Sequence, residues 1–154
     1  MSEDSEPKLI AFIDGACEPV NPGGTASYGV VVKSNGVIIF TDSAIVGSGP
    51  RMSNNVAEYS GLIAFLEWYI KHAHDGKATV HSDSSLLINQ MTDYWRARRG
   101  LYLPYYKRAW EIIRQNKLKD RIEYRWIPRE QNQKADKLSK DALVTAGVTP
   151  SLTP

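Results

Sequence analysis

The sequence is poor in the residues that build disulfide scaffolds, zinc sites and membrane spans. Its 154 residues contain one cysteine and three histidines, so there is no internal disulfide and no Cys/His cluster with zinc-ligand spacing. No apolar run approaches the roughly 18 residues that a membrane span requires. The N-terminal stretch MSEDSEPK is acidic and polar, unlike a secretion signal. These absences exclude a membrane protein and favour the cytoplasm.

The length and composition are those of an ordinary globular domain. Hydrophobic residues make up 42% and charged residues 23% of the chain, and no repeat or linker divides it. We therefore expect one domain over residues 8–146, a disordered tail at 1–7 and a flexible tail at 147–154. No obligatory protein partner is evident, and a monomer is expected.

Basic residues are concentrated in one third of the chain. From Arg96 to Arg129 there are eleven basic residues against three acidic ones, a net +8, while the remainder carries −6. Such a density favours a polyanionic partner, although a solvated helix face explains it equally well.

Hydrophobic patterning predicts a mixed α/β fold. Three early segments have patterns typical of strands: LIAFIDG, residues 26–33 and residues 37–42. Asn35-Gly36 between the last two is a strong hairpin signal. Apolar residues then recur at helical spacing over 54–72. The remaining elements are a strand at 77–82, a helix from 83 or 84 to about 92, a helix at 104–117, a strand at 121–126 and a helix at 132–145. The predicted order is βββαβααβα, a five-stranded mixed sheet with three antiparallel strands and parallel additions, flanked by helices.

Four acids occupy positions that the predicted sheet brings to one edge. Asp14 and Asp83 are expected at the carboxyl ends of adjacent strands, and Glu58 and Asp136 near the starts of helices. Four carboxylates this close would repel one another unless divalent cations neutralised them. Oxygen ligands favour Mg²⁺ or Mn²⁺ over zinc.

Each acid also has a purely structural explanation. Asp14-Gly15 could be a turn, Glu58 could complete a capping box, Asp83 could be a helix N-cap, and Asp136 could lie on a solvated face.

The sequence resembles a type 1 ribonuclease H from about residue 9 to residue 145. Four blocks carry the resemblance, in order: IDGAC followed by NPGG, SNNVAEYSGLIAFLE, VHSDSSLLINQM and WIPREQNQKADKLSK. The resemblance implies a ribonuclease H-like fold and an endoribonuclease that hydrolyses the RNA strand of RNA–DNA hybrids, leaving 5′-phosphates. It implies Asp14, Glu58, Asp83 and Asp136 as catalytic carboxylates that bind two Mg²⁺ ions, with Mn²⁺ as an alternative. Asp14 would bridge both ions, Glu58 and Asp83 would hold one, and Asp136 the other.

The resemblance also implies substrate contacts. Asn21, Asn54 and Asn55 match residues that contact the sugar edge and backbone of the hybrid, although Asn54 and Asn55 could equally cap the first helix. Arg51 and Ser53 resemble a pocket for a DNA-strand phosphate. A compact basic protrusion is predicted from Tyr94, Trp95, Arg96, Arg98 and Arg99, with a core position as the alternative for Trp95.

The sequence departs from the family in the loop before Asp136. Many members carry a histidine there, whereas this chain has Pro-Arg-Glu-Gln-Asn at 128–132, as in a branch of the family without that histidine. Glu130 and Arg129 are the candidate substitutes. Two other functions stay open: a related nuclease that also cuts double-stranded RNA, and a catalytically silent nucleic-acid-binding module.

Overall fold

The computed structural model describes residues 9–72, 76–92 and 95–149. The predicted order βββαβααβα is confirmed, with one short 3₁₀ turn, Arg129–Gln131, before the last helix. The strands are β1 Leu9–Glu18, β2 Thr25–Ser34, β3 Val37–Ser48, β4 Ala78–Ser82 and β5 Ile122–Trp126. The helices are α1 Asn54–His72, α2 Ser85–Met91, α3 Leu103–Gln115 and α4 Gln133–Thr145.

The five strands form one mixed sheet in the order β3-β2-β1-β4-β5. β1, β2 and β3 pair antiparallel, whereas β4 pairs parallel with both β1 and β5. The β2–β3 turn contains Asn35 at φ 51° and Gly36 at φ 82°, the left-handed conformations that an Asn-Gly hairpin turn requires. The predicted fold class is therefore confirmed.

The first strand is longer than the sequence indicated, and this changes the position of Asp14. β1 continues to Glu18 because β2 pairs with it along its whole length, with Asp14 opposite Gly29. The predictions that Asp14-Gly15 is a turn and that Asp14 ends a strand are therefore wrong. The parallel ladder with β4, however, stops at Phe12 opposite His81, so Asp14 lies just beyond that ladder. Asp83 directly follows β4, which places both acids at the same edge.

The main core lies between the sheet and the helices α1 and α3. Ile13, Val30, Leu62, Phe65 and Ile113 are each at most 1% exposed and belong to this core. Burial of such side chains contributes about 1.5–3 kcal/mol each. Helix α4 contacts β1 and β2, with its residues Ala135 and Ser139 against Gly29 of β2, so helices cover both faces of the sheet.

No helix within the described ranges is long and apolar enough to cross a membrane. The predicted tail at residues 1–7 lies outside the described residues, as does most of the tail predicted at 147–154. The division into one domain at 8–146 and two tails stays a prediction.

Candidate active site

Three carboxylates from separate parts of the chain converge at this edge of the sheet. Asp14 comes from β1, Glu58 from the second turn of α1, and Asp83 from the residue after β4. Each offers an oxygen, and these three oxygens lie within 4.8 Å of one another. The hypothesis that the acids converge is supported by this cluster.

Two glycines beside Asp14 allow the helices to approach this closely. A Cβ on Gly15 would lie 2.5 Å from Glu58 N and 2.6 Å from the Ala57 carbonyl carbon. A Cβ on Gly29, which pairs with Asp14, would lie 2.8 Å from Ser139 N in α4. Because real Cβ atoms do not make such contacts, only glycine at these positions lets α1 and α4 pack this closely against the strands near Asp14.

The cluster is buried enough to disturb its own ionisation. Asp14 and Glu58 are each 5% exposed. Burial, followed by repulsion from Asp83, raises the pKa of Asp14 to about 8. Burial and the neighbouring charges of Asp14 and Asp83 raise the pKa of Glu58 well above its ordinary value. Without a cation, the cluster therefore retains protons near neutral pH.

The donor set fits a divalent cation. Glu58 Oε2 is buried and has no hydrogen-bond partner among the described residues, a costly state for a carboxylate oxygen unless something else binds it. A set of carboxylate oxygens is the kind of site that Mg²⁺ and Mn²⁺ prefer. A bound cation would lower these raised pKa values by stabilising the ionised carboxylates, and it would give the unpartnered Glu58 oxygen a ligand bond.

Asp136 lies on the wall of the same cleft, outside the cluster of three. Its Oδ2 atom is 3.2 Å from Lys140 Nζ, one helical turn later in α4. Its charge is nevertheless close enough to contribute to the raised pKa of Asp14. Asp136 is therefore near the cluster and held by a cationic side chain.

A cleft of about 540 Å³ opens over these carboxylates, and we call it the carboxylate cleft. Its polar and charged lining includes Asp14, Glu18, Asn21, Asn54, Asn55, Glu58, Asp83, Ser84, Ser85, Arg129, Asp136 and Lys140. Three of the predicted substrate-contacting residues, the asparagines, therefore line the same cleft as the acids.

The acids and asparagines for which helix capping was an alternative explanation do not cap α1, because other side chains do. Ser53 Oγ accepts a hydrogen bond from Val56 N at 3.1 Å and caps α1, and Asn21 Oδ1 accepts one from Asn54 N at 2.9 Å. Asn54 and Asn55 are therefore not the side chains that cap this helix. Glu58 stands five residues after the Ser53 cap, too far along for a capping box.

The N-cap of α2 is Ser84, whose hydroxyl accepts from Leu87 N at 3.2 Å. The capping explanation for Asp83 is therefore wrong. Ser53, predicted in a phosphate pocket, is 8% exposed and uses its hydroxyl as a cap. Arg51 is exposed and does not line the carboxylate cleft.

Part of the predicted basic protrusion forms a second surface cavity. Trp95, Arg96 and Arg98 line it together with Tyr106 of α3. Trp95 is 49% exposed, so the core alternative for this residue is wrong. Arg99 is exposed but lies outside that lining, and Tyr94 falls outside the described residues.

The two candidate substitutes for the loop histidine lie in different pockets. Arg129 lines the carboxylate cleft, whereas Glu130 lines a different pocket with Phe12 and Lys33. The sequence interpretation missed Asn132 and Lys140. Lys140 could have been found from its position four residues after Asp136, a helical neighbour spacing. Asn132 gave no signal beyond a helix start.

Comparison with known proteins places the chain in a family. The family described as "Reverse transcriptase-like" matches residues 12–142. The Bifunctional protein Rv2228c of Mycobacterium tuberculosis is 36% identical over 141 residues, covering 90% of this chain but 36% of that protein. Ribonuclease HI of Halobacterium salinarum is 32% identical, covering 88% of this chain and 64% of that protein. The chain thus spans about a third of the length of the mycobacterial relative.

Solved structures agree with the sequence matches. The N-terminal ribonuclease H domain of Rv2228c superposes with a TM-score of 0.78 at 34% identity, covering 92% of this chain and 97% of that one. LC11-RNase H1, solved in complex with an RNA/DNA hybrid, gives 0.79 at 28% identity, covering 90% and 98%. Given the family match over most of its length, the shared sheet and the converging carboxylates, this chain belongs to the reverse transcriptase-like family and forms a ribonuclease H-like domain, with structures of RNase H1 among its neighbours.

Proposed function

We propose that this protein is a metal-dependent endoribonuclease that hydrolyses the RNA strand of RNA–DNA hybrids. The observation that carries the proposal is the cluster of Asp14, Glu58 and Asp83, which line an open cleft and offer oxygens within 4.8 Å of one another. The similar LC11-RNase H1 was solved with an RNA/DNA hybrid, which supports the choice of substrate.

Asp14, Glu58 and Asp83 would hold Mg²⁺ or Mn²⁺, and Asp136 would contribute to a second ion. Divalent cations in such a site supply activation of the attacking water and neutralise charge on the leaving oxygen. The protein then needs no nucleophilic side chain of its own, and Cys17 is not required for that role. That thiol donates a hydrogen bond to Val20 O at 3.2 Å and is a buried neighbour of the site.

The remaining polar residues of the cleft would bind and orient the duplex. Asn54 and Asn55 can each donate and accept hydrogen bonds, which is what recognition of an RNA 2′-hydroxyl requires. Arg129 presents a guanidinium on the cleft wall, suited to a phosphate oxygen. Asn21 holds the first turn of α1 beside these amides through its hydrogen bond to Asn54 N.

The proposed function is tested by cleavage of end-labelled duplexes of one sequence. RNA–DNA hybrid, double-stranded RNA and double-stranded DNA are each incubated with Mg²⁺, with Mn²⁺ and with chelator. We expect metal-dependent cleavage of the hybrid's RNA strand alone, leaving 5′-phosphates. Cleavage of double-stranded RNA as well would indicate the broader nuclease, and intact substrates with retained hybrid binding would indicate a binding module.

Asp14→Asn is the decisive variant, and Asp141→Asn is its matched control. Asp141 makes an exposed ion pair with Lys137 on α4, outside the carboxylate cleft. Loss of a metal ligand should reduce cleavage by more than the roughly 100-fold seen when partners of ligands are removed. The control should cleave like the wild type. Full activity of Asp14→Asn would contradict the assignment.

We infer that the protein acts as a monomer in the cytoplasm. The single cysteine supports a reducing compartment. Light scattering across a tenfold range of protein concentration tests the monomer, and a mass that rises with concentration would contradict it.

A further inference from the structure

Asn132 is a buried amide beside the carboxylate cleft. It precedes α4 directly and is 1% exposed. The residue position is that of a helix N-cap, where asparagine usually accepts a hydrogen bond from the first turn. Its side chain makes no such bond. Capping therefore does not explain why a polar side chain is buried here.

The Asn132 side chain instead reaches the main chain of β1 and the carboxylate of Asp83, the residue that follows β4. Its Nδ2 atom donates to the carbonyl oxygen of Ile13 at 2.8 Å and to Asp83 Oδ2 at 3.1 Å. Ile13 is the residue directly before Asp14. The backbone carbonyl of Asn132 also accepts a hydrogen bond from Asp136 N at 3.1 Å. One residue thus joins the segments that bear Asp14, Asp83 and Asp136.

The two side-chain contacts require an amide donor. A main-chain carbonyl and a carboxylate only accept hydrogen bonds, so the Asn132 amide must present its NH₂ group to both. Its Oδ1 atom is left buried without a partner in the described part of the chain. Such an unpaired acceptor is unfavourable, which indicates that the two donated bonds are the reason for an amide at this position.

Asp83 is the member of the cluster that needs such a partner. It follows the end of β4 and is half-buried, whereas Asp14 and Glu58 are fixed within a strand and a helix. The bond from Asn132 restrains the Asp83 carboxylate through Oδ2, and the other carboxylate oxygen does not take part in that bond. A ligand held in this way loses little freedom when a cation binds.

We propose that Asn132 is a positioning residue that orients the Asp83 carboxylate for cation binding, through an amide shared with the main chain of β1. The proposal rests on the proposed function for the identity of the ligand, a divalent cation. Asn132 itself touches neither cation nor substrate. Its effect passes through Asp83, so a change at Asn132 alters cation affinity only while Asp83 is a carboxylate.

The experiment is a calorimetric titration of the full chain with Mn²⁺ alone, without nucleic acid. Asn132→Ser is the variant, because serine keeps a favourable N-cap residue but is too short to replace both amide bonds. We expect a loss of Mn²⁺ affinity of about 10-fold or more. Asn116→Ser is the matched control, since it removes an amide bond to the Ile112 carbonyl at the end of α3.

The same substitution in an Asp83→Asn background separates positioning from general damage. If Asn132 acts through Asp83, the loss in that background should be less than about 3-fold. An unchanged Mn²⁺ affinity for Asn132→Ser would overturn the proposal, as would an equal loss in both backgrounds. Unfolding of both Asn132→Ser and Asn132→Ala, not reversed by saturating Mn²⁺, would also overturn it, because a residue that only orients a ligand is not needed for folding.

Failure of the proposed function gives a different result. Wild-type protein that binds Mn²⁺ but cleaves no duplex would contradict the nuclease, while the titrations would still support the role of Asn132. A wild-type protein that cleaves hybrid, with an Asn132→Ser variant that binds Mn²⁺ normally, would contradict only the role of Asn132.

Discussion

Lys140 Nζ lies 3.2 Å from Asp136 Oδ2, and both side chains line the cleft that contains the three clustered carboxylates. The pair spans one turn of α4, with the two side chains 46% and 33% exposed. An exposed ion pair of this kind contributes little to stability. Its consequence is local, because a cation that binds Asp136 must compete with the Lys140 ammonium group for the same carboxylate.

Lys140→Met should therefore favour binding of divalent cations at Asp136. We expect the Mg²⁺ concentration that gives half-maximal cleavage to fall several-fold, while the melting temperature changes little. Lys137→Met removes the partner of Asp141 on the same helix and is the matched control. A Mg²⁺ requirement that stays the same in Lys140→Met, or that falls equally in the control, would contradict this competition.

Gly15→Ala should destabilise the protein and disrupt the carboxylate cluster. The added Cβ would lie 2.5 Å from Glu58 N, so the start of α1 would have to shift away from β1. Overpacking of this kind typically costs about 1–3 kcal/mol. We expect lower stability in chemical denaturation and weaker Mn²⁺ binding.

Gly61→Ala is the matched control on the same helix. Its added Cβ would make ordinary contacts of 3.4–3.6 Å with Tyr28, Asp14 and Ile13. Because alanine is favoured over glycine inside a helix by about 1 kcal/mol, this variant should be as stable as the wild type or more so. Destabilisation of both variants by the same amount would show that the close approach at Gly15 has no special role.

The cation-free protein should lose stability as the pH rises. The folded protein binds protons on Asp14 up to a pKa of about 8, whereas the unfolded chain releases them near the ordinary value of 3.8. Between these values the folded state holds more protons, so its stability decreases with increasing pH. Melting temperatures measured in chelator from pH 5 to pH 8 should fall, and Asp14→Asn should reduce the slope.

Binding of a divalent cation at pH 7 should accordingly release protons, because the carboxylates must ionise to act as ligands. Calorimetric titration with Mn²⁺ in buffers of different ionisation enthalpy measures this release. Binding enthalpies that do not depend on the buffer would contradict the raised pKa values of Asp14 and Glu58.

Reversal of Arg96, Arg98 and Arg99 to glutamate should weaken hybrid binding and lower its dependence on salt. Each lost phosphate contact removes about one unit from the slope of log affinity against log salt concentration. Binding is measured with the cleavage-deficient Asp14→Asn variant from low to high salt. The control reverses Arg114, Lys117 and Lys119, which are exposed at the far end of α3 and just beyond it, with the same change in charge. Equal effects of both reversals would indicate that the net charge of the protein, and not these three arginines, determines hybrid binding.

Much of the fold could be predicted because its signals are local. The helical spacing of apolar residues gave α1 as 54–72, the bounds that the structure has. Asn35-Gly36 fixed the β2–β3 hairpin through its own backbone preferences. Asp83 was placed correctly after β4 because the strand and helix on either side are short and well marked.

The position of Asp14 within a strand could not be predicted from its neighbours in the sequence. An Asp-Gly pair favours a turn, yet β2 provides hydrogen-bond partners through Glu18 and keeps the chain extended. The same applies to the caps of α1, since Asn21 acts on Asn54 from 33 positions away. Neighbours in sequence do not reveal partners that only the sheet brings together.

The sequence by itself determined the order of the elements and the four acids, because hydrophobic period, turn residues and motif spacing are properties of short stretches. Only the tertiary structure decided how those acids are arranged: three lie in one cluster, Asp136 lies beside it in an ion pair with Lys140, and Asp83 accepts a hydrogen bond from Asn132. The physical reason is that burial, charge repulsion and amide hydrogen bonds act between residues up to 119 positions apart, which become neighbours only after folding.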